Sequence, residues 1–316
     1  MSLRSFNQKS SDKLRDILGS RFKRFVEMGI TTVEQLAAYT PARLQNLGLI
    51  DDYDEAAKII RRALMEMEKR IAYDYEARME ISKLPKLTTG VKAIDTLLGG
   101  GLEPGKIYGL VGEFGSGKSR FCHQLCVTIQ LPPIKGKAIY MDAENVYREE
   151  LIANIAKRFG LDPEEVSKNI LVINSTNYFF IEEFLRKEWP LYIHHGYNLL
   201  IIDTLVGPYR QEFAGRGQLA ERQQRINALL GWILNHIRMY NIYCVITDQI
   251  QAVPEIGGGV RIVGGHVVAH GITYWYWISS RGGGIRCIRA YDVIHQKSGE
   301  SAEFKMTDKG LEDLED

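Results

Sequence analysis

The sequence predicts an α/β protein with a mostly parallel sheet flanked by helices, preceded by a small all-α domain. Two observations predict this arrangement. After Gly90, apolar runs alternate with amphipathic segments, which is typical of strands that alternate with helices. Before residue 66, apolar residues such as Leu14, Ile17 and Leu18 recur at three- and four-residue spacing, which is typical of short helices.

Capping patterns support helices in the N-terminal region. Thr32 precedes Gln35 at capping-box spacing, and Thr40 precedes Pro41, a residue favoured in the first helical turn. The charged stretch that ends at Pro85 reads as a linker helix followed by an extended tail. We therefore expect three regions, which are a helical domain over residues 1–65, a linker over 66–87 and an α/β core over 88–316.

Short apolar runs predict the strands of the core. Helices are expected between the first five strands, and such crossovers join parallel neighbours. The aromatic run YWYW at 274–277 is expected to lie in the interior of the sheet, whereas residues 311–316 read as an acidic tail. The predicted strands are 107–111, 137–141, 170–173, 199–203, 243–247, 273–278 and 285–291.

Length, composition and charge narrow the class of protein. The 316 residues suggest about two domains at roughly 150 residues each. Hydrophobic residues make up 45% and charged residues 25%, which excludes disordered and fibrous chains. The net charge of +1 means that binding to nucleic acid would depend on local basic loops. The sequence has no apolar run of membrane length and no secretory signal, so we expect a cytoplasmic protein with no membrane contact. The four cysteines form no CxxC pair and are expected to be buried thiols.

Residues 112–119 read GEFGSGKS, which is the pattern GxxxxGK[ST] between a predicted strand and a predicted helix. In such a loop, glycines let backbone N–H groups surround phosphates, and the helix N-terminus adds positive potential. Lys118 would reach the outer phosphates and Ser119 would bind Mg²⁺. The predicted phosphate-site residues are Gly112, Glu113, Phe114, Gly115, Ser116, Gly117, Lys118 and Ser119.

Two carboxylates and an amide follow the ends of other apolar strands. Asp203 ends a buried strand and is the second candidate on the magnesium side. Glu144 is the candidate that positions or deprotonates water, with Asp142 as its rival. Gln249 is placed to sense the γ-phosphate and to pass the signal into the following loop.

With these residues identified, a resemblance becomes apparent. In order and spacing, several segments from about residue 87 to the end resemble the RecA-like recombinases, most closely the archaeal RadA group and its eukaryotic relatives. The helices before residue 66 resemble the helix-hairpin-helix module of that family. The segments are LTTGVKAIDTLLGGGLEPGKIYGLVGEFGSGKS, FCHQLCVTIQLPP, LLIIDT, EFAGRGQLAERQQ and GGHVVAH.

The resemblance implies a RecA-like P-loop ATPase that uses ATP and Mg²⁺. It implies assembly on single-stranded DNA, pairing with double-stranded DNA, strand exchange, and ATP held between adjacent subunits of a filament or ring. It assigns Glu144 to water activation, Gln249 to nucleotide sensing and His270 to the relay of nucleotide state between subunits. It also implies nucleotide contacts by Arg148 and by Asp292, which lies near the position of the family's ATP-capping acid.

Two loops are expected to contact DNA. In the first, Arg210, Arg216 and Arg222 would hold phosphates, and Phe213 would wedge or stack at the bases. The second, residues 252–265, is rich in glycine and carries Arg261.

The chain departs from the family pattern in four places. Asp248 stands where the family has Asn, and Leu151 stands where it has an Arg that packs on adenine. The linker shows no clear Phe-x-x-Ala element, through which family members polymerise, and the DNA-binding hairpins of the N-terminal module are degenerate.

The resemblance and these departures leave two candidate functions. The first is a DNA-dependent ATPase of homologous recombination, and the alternative is a weakly polymerising paralogue that acts as an ATP-binding mediator on DNA or on a recombinase. A hexameric helicase is disfavoured by the segment GRGQLAERQQ.

Overall fold

A computed structural model describes residues 12–68, 75–253, 259–262, 271–293 and 299–314. Its contacts divide the chain into two compact units. The first comprises Met1–Ser82 and Glu182–His195, and the second comprises Lys83–Ile181 and Gly196–Asp316. The first unit therefore includes a segment from the middle of the chain that the sequence placed in the core.

The first unit is helical, and local sequence signals begin two of its helices. The Thr32 hydroxyl accepts a hydrogen bond from the Gln35 backbone N–H at 3.2 Å, and the Gln35 side chain accepts one from the Thr32 N–H, which confirms the expected capping box. Thr40 caps the helix that begins at Pro41. The helices before residue 83 are α1 (12–18), α2 (Phe22–Glu27), α3 (Val33–Ala37), α4 (Pro41–Asn46), α5 (Tyr53–Glu68) and α6 (Tyr75–Ser82).

A charged cluster joins the two segments of this unit. The Arg43 guanidinium donates to both carboxylate oxygens of Glu183 at 3.2 Å, and Lys187 pairs with the same carboxylate. Gln35 donates to the Lys187 carbonyl at 3.5 Å. The cations at Glu183 outweigh the effect of its partial burial and lower the pKa of this carboxyl.

The second unit is built on a sheet whose strand order is β10-β9-β8-β7-β1-β5-β4-β2-β3, with β6 paired to β5. The run from β7 to β3 is parallel, and β8, β9, β10 and β6 are added antiparallel. The mostly parallel sheet is therefore confirmed. The strands are β1 (Ile107–Gly112), β2 (Lys137–Asp142), β3 (Ile170–Asn174), β4 (Tyr197–Asp203), β5 (Tyr243–Val253), β6 (Gly259–Ile262), β7 (Tyr274–Gly282), β8 (Ile285–Asp292), β9 (Ser301–Thr307) and β10 (Gly310–Glu312).

Helices connect the parallel strands, as α/β crossovers require. Apolar side chains of α8 and α9 pack with β1 and β2 into one hydrophobic core. The helices after residue 91 are α7 (Lys92–Leu97), α8 (Lys118–Thr128), α9 (Glu149–Arg158), α10 (Pro163–Lys168), α11 (Tyr178–Glu183), α12 (Trp189–Ile193), α13 (Val206–Glu212) and α14 (Leu219–Tyr240). Among the described residues, no helix is long and apolar enough to span a membrane.

The prediction that residues 311–316 form an acidic tail is wrong. Residues 310–312 form β10, and Leu311 is completely buried. The Asp313 carboxylate accepts hydrogen bonds from the Lys92 and Ala93 backbone N–H groups at the start of α7. The neighbouring acids give this segment an acidic composition, but its apolar Leu311 is buried in β10 at the edge of the sheet.

The aromatic strand β7 lies inside the sheet, as expected. Tyr274, Trp275 and Tyr276 are buried. β7 lies beside β1 with Trp275 opposite Gly109, and a Cβ at Gly109 would meet the Trp275 ring at 2.2 Å. Gly109 thus makes room for an indole beside the strand that leads into the phosphate loop. The cysteines are free and buried, as expected.

Candidate nucleotide site and nucleic-acid interface

The glycine-rich loop joins the carboxyl end of β1 to the start of α8. Gly115 has φ of 74° and Gly117 has φ of 112°, in the left-handed region that glycine enters without strain. Lys118 is the first residue of α8, and its ammonium group donates to the carbonyls of Gly112 and Glu113 at 3.0 Å. Burial lowers the pKa of Lys118. The loop therefore folds over its own lysine.

The backbone of this loop is closely packed, and one of its side chains is suited to contact a polyphosphate. A Cβ at Gly112 would lie 2.3 Å from the Ile278 carbonyl oxygen, and a Cβ at Gly117 would lie 2.9 Å from the Met306 sulfur, so the backbone packs closely on β7 and β9. The buried Ser116 hydroxyl has no hydrogen-bond partner among the described residues. An anionic ligand with several acceptor oxygens would complete this arrangement.

Asp203 ends β4 beside the loop and is buried. The Tyr140 hydroxyl donates to its Oδ2 at 2.6 Å, and the Thr247 hydroxyl donates to its Oδ1. Both donors come from neighbouring strands, β2 and β5, so the carboxylate is held from two sides. This rigid acid suits the metal-side role predicted for it.

Glu144 follows β2 and contacts the predicted sensor. Gln249 donates from Nε2 to Glu144 Oε1 at 3.1 Å. Burial and the charge of Asp203 raise the pKa of Glu144, so this carboxylate accepts a proton more readily than an ordinary glutamate does. Two residues placed 105 positions apart in the sequence thus meet at the carboxyl edge of the sheet.

Asp142, the rival of Glu144, has a different environment. It is buried, and its carboxylate accepts backbone N–H bonds from Glu144, Val146 and Tyr147 at 2.8–3.2 Å. These bonds shape the loop that carries Glu144. Asp142 therefore supports the loop, and Glu144 is the carboxylate that lines the pocket.

Asp248, where the family has Asn, is 2% exposed. Its Oδ1 accepts the Gln249 backbone N–H at 2.8 Å, and its Oδ2 has no hydrogen-bond partner among the described residues. Burial raises the pKa of this carboxyl to about 7, although Lys118 and Arg210 oppose the shift. At neutral pH a substantial fraction of Asp248 is consequently uncharged, as the amide of Asn would be.

A pocket of about 280 Å³ opens over the phosphate loop. The loop 143–148 forms one wall with Glu144 and Arg148, and Leu151 lies at the same side. Arg148 donates to the carbonyls of Asn145 and Tyr147. The structure thus places at the pocket both Arg148, a predicted nucleotide contact, and Leu151, which stands where the family has an adenine-packing Arg.

Several residues at this pocket are not among the predicted site residues. Arg120, His123 and Met306 line it. Arg286 on β8 donates from Nε to the Ser116 carbonyl at 3.1 Å, and Arg120 donates to the Thr307 carbonyl. These two hydrogen bonds depend on β8 and β9 lying against the phosphate loop. No sequence pattern near the glycine motif predicts them.

Asp292 does not join this pocket. It lies at the end of β8, paired with Trp275, and Trp275 in turn is level with Gly109 of β1. The phosphate loop begins beyond Gly112, at the opposite end of that strand. Because β8 runs antiparallel to β7, its last residue points away from the carboxyl edge. The nucleotide contact expected of Asp292 is therefore not made in this pocket and stays a prediction.

The first candidate DNA segment differs from its prediction at the aromatic residue. Phe213 is 5% exposed and packs edge-on against Tyr178 at 5.2 Å, with the Arg225 guanidinium over both rings at 5.6 Å. Arg222 donates to the Phe213 carbonyl at 3.3 Å. The expected base-stacking role of Phe213 is not supported, because the ring already packs in an interior cluster. Arg210, in contrast, is exposed on α13.

The other DNA and relay candidates are placed only in part. Arg216 lies in a short 3₁₀ turn before α14, and Arg261 lies on β6 opposite Gln251 of β5. Their side chains lie outside the described part of the chain, as does His270 altogether. Their roles stay predictions.

Comparison with known proteins agrees with this geometry. The Rad51 family matches residues 80–314. The chain belongs to the Rad51 family. It is also similar to the DNA repair and recombination protein RadA of Aeropyrum pernix, at 36% identity over 93% of both chains. RadA of Ignicoccus hospitalis is 36% identical over 93% of this chain and 92% of its own.

Membership of the Rad51 family establishes the resemblance to RecA-like recombinases that the motifs carried. Rad51-family proteins are DNA-dependent ATPases of the RecA-like P-loop type. ATP binding thus belongs to the family as a whole, and the glycine loop over Lys118 is where this chain has the geometry for it.

Proposed function

We propose that this protein is a DNA-dependent ATPase of homologous recombination, which assembles on single-stranded DNA with ATP and Mg²⁺ and promotes pairing and strand exchange with double-stranded DNA. The observation that carries the proposal is the meeting of Lys118, Asp203, Glu144 and Gln249 at one edge of the sheet in a member of the Rad51 family. A phosphate loop, a metal-side acid, a base and a sensor are the parts that nucleotide hydrolysis needs.

The chain's own residues divide the chemistry among them. Lys118 and the loop amides would bind the phosphates, while Ser119 and Asp203 would hold Mg²⁺, which when bound neutralises phosphate charge. Glu144, oriented by Gln249, would take the proton of the attacking water. Its raised pKa favours that step, since a stronger proton acceptor is a better general base.

The same strand that carries the sensor supports a link to DNA. β5 continues from Gln249 to Val253, and residues 250–253 pair with β6, which carries Arg261. A change in the Gln249 side chain on nucleotide hydrolysis would therefore act at the base of the second candidate DNA loop. Hydrolysis would reset the DNA-bound state.

Asp248 and the lack of a clear Phe-x-x-Ala element in the linker favour a second candidate, an ATP-binding mediator that polymerises poorly. When ionised, the buried carboxylate of Asp248 repels phosphate and weakens the coupling of nucleotide state to the loop after Gln249, which the Asn of the family does not. Such a chain would still bind ATP through the glycine loop, and it would act on DNA or on another recombinase.

Electron microscopy separates the two candidates. The protein is imaged on single-stranded DNA with Mg²⁺ and a non-hydrolysable ATP analogue, and ADP serves as the control. Long helical filaments formed only with the analogue support the recombinase. Small particles with ATP bound in a separate filter assay support the mediator.

Substitution of Lys118 tests the site itself. Lys118→Ala removes the ammonium group at the phosphates, so we expect ATP-stimulated DNA binding to disappear and ATP turnover to fall at least about 100-fold. Lys168→Ala is the matched control, because Lys168 is exposed on α10 and pairs only with acids of its own helix in the described structure. Unchanged nucleotide-dependent binding in Lys118→Ala would contradict the assignment.

A further inference from the structure

His123 on α8 joins the phosphate-loop helix to the loop that carries Glu144. Its Nδ1 lies 2.6 Å from the Ser119 carbonyl oxygen, one turn back on the same helix. Its Nε2 lies 3.0 Å from the Arg148 backbone nitrogen, 25 residues further along the chain. The imidazole is 1% exposed, so water does not compete for either contact. One ring therefore bridges two walls of the pocket.

The two contacts together define the chemical state of this ring. A carbonyl oxygen can only accept a hydrogen bond, so Nδ1 must carry a proton. A backbone N–H can only donate, so Nε2 must carry a lone pair. Only the neutral Nδ1–H tautomer meets both conditions.

The contact to Arg148 completes the support of the loop. Asp142 holds the backbone N–H groups of residues 144, 146 and 147, and His123 holds the next one. The bonds of Asp142 come from the strand that the loop leaves. The bond of His123 comes from α8, so it relates the loop to the lysine and serine of the phosphate motif.

Aromatic packing extends the bridge to the metal-side acid. The imidazole stacks on Tyr147 with ring centroids 5.2 Å apart, and it lies 5.1 Å from Tyr140. Tyr140 donates its hydroxyl proton to Asp203. Asp203, the loop of Glu144 and the phosphate helix are thus held by one cluster of three rings, His123, Tyr140 and Tyr147.

We propose that His123 is a positioning residue for ATP hydrolysis, which as the neutral Nδ1–H tautomer holds Glu144 at the distance from the phosphate loop that turnover requires. The inference rests on the proposed function for its catalytic consequence. Its structural content, the bond between Nε2 and the Arg148 N–H, stands on the geometry alone.

A pair of variants isolates that bond. The amide of His123→Gln reaches the place of Nε2 and offers an oxygen acceptor to Arg148. The shorter amide of His123→Asn reaches the place of Nδ1, so it keeps the bond to Ser119 and leaves the Arg148 N–H without its acceptor. We expect His123→Asn to lower kcat about tenfold and His123→Gln to lower it less than about threefold, with the KM for ATP changed less than threefold in both.

Thermal melting accompanies the kinetics, so that loss of folded protein is measured in each variant. Equal loss of kcat in the two variants, or no loss in His123→Asn, would overturn the positioning role. A merely structural residue would change both variants through the folded fraction, and the kcat of the remaining folded protein would be unaltered.

Two measurements need no ATP and keep this inference separate from the proposed function. Nitrogen-15 NMR of labelled histidine should show His123 as the Nδ1–H tautomer, and finding the Nε2–H tautomer would overturn the proposal. Hydrogen exchange at the Arg148 amide should be faster in His123→Asn than in His123→Gln. If the tautomer and the exchange pattern hold but the wild-type protein does not hydrolyse ATP, the proposed function fails while the bridge by His123 stands.

Discussion

The nucleotide end of the sheet and the first candidate DNA segment contrast in how their predicted side chains are held. At the nucleotide end, Asp203 and Glu144 each accept a hydrogen bond from another element, and both lie where the sequence predicted. In the DNA segment, Phe213 is packed away and Arg210 is exposed. In this chain, strands of the sheet position the candidate nucleotide residues, whereas Phe213 of the first candidate DNA segment packs against Tyr178 of α11 and Arg225 of α14.

The largest effect is expected from a change at Glu144. Glu144→Gln keeps an acceptor oxygen for Gln249 and removes the proton acceptor, so we expect kcat for ATP hydrolysis to fall about 100-fold with ATP binding retained. Steady-state hydrolysis and equilibrium nucleotide binding measure the two effects. Glu150→Gln is the matched control, since Glu150 is exposed on α9. Turnover near that of the wild type would assign the water-activating role elsewhere.

Phe213 tests the other side of the comparison. If this ring belongs to the interior, Phe213→Ala should lower the free energy of unfolding of the second unit by about 3 kcal/mol, because it leaves a cavity. Phe179→Ala is the control, since Phe179 is 52% exposed and should change stability by less than about 1 kcal/mol. Chemical denaturation measures both. A stable Phe213→Ala protein that loses single-stranded DNA affinity would restore the base-stacking role.

The buried carboxyl of Asp248 makes the stability of the protein depend on pH. The pKa of its carboxyl rises from 3.8 to about 7 in the fold, so the folded state binds this proton more tightly than the unfolded state. The resulting stabilisation is complete below about pH 4 and is lost as the pH rises through 7. The Asn side chain of Asp248→Asn does not titrate. From pH 5 to pH 8 the free energy of unfolding of the wild type should therefore fall by about 2 kcal/mol relative to that of Asp248→Asn.

Denaturation of both proteins at the two pH values checks this expectation. Asp308→Asn, a change of the same chemistry at an exposed site, should show no such gain. A constant difference between wild type and Asp248→Asn would mean that Asp248 is ionised throughout this range.

The smallest effect is expected in the DNA segment. Arg216→Ala should weaken binding to single-stranded DNA and reduce the slope of log affinity against log salt by about 1, while ATP binding is unchanged. Fluorescence anisotropy over a range of salt concentrations measures the slope. Lys168→Ala should leave the slope as it is, and an unaltered slope in Arg216→Ala would remove Arg216 from the DNA interface.

Local patterns account for what the sequence predicted well. The glycine loop and its strand–helix context span few residues, and the acids at the ends of β2 and β4 follow from the rule that parallel strands present their carboxyl ends together. The seven predicted strands all occur. Most of them are short apolar runs, whereas β8 alternates apolar residues with Arg286 and Arg289.

Contacts between distant elements account for what the sequence missed. The bond from Arg148 to His123 depends on how α8 packs on β2, and Glu183 joins the first unit through Arg43, 140 positions away. The strand β9 alternates apolar with polar or charged residues and is not among the predicted strands, and β10 overlaps the predicted acidic tail at residues 311 and 312. Burial of Phe213 likewise depends on Tyr178 of α11, which no spacing rule connects to it.

The packing of Trp275 against Gly109 restricts how the sequence can vary among relatives. With a Cβ at position 109 only 2.2 Å from the indole, Gly109 cannot be exchanged alone without moving Trp275 or one of the two strands. Variation at position 109 therefore depends on the residue at position 275. In an alignment of relatives, a side chain larger than hydrogen at the position of Gly109 should accompany a residue smaller than tryptophan at the position of Trp275. Transplanting a β7 that carries Trp275 into another family member would require a glycine at the position of Gly109.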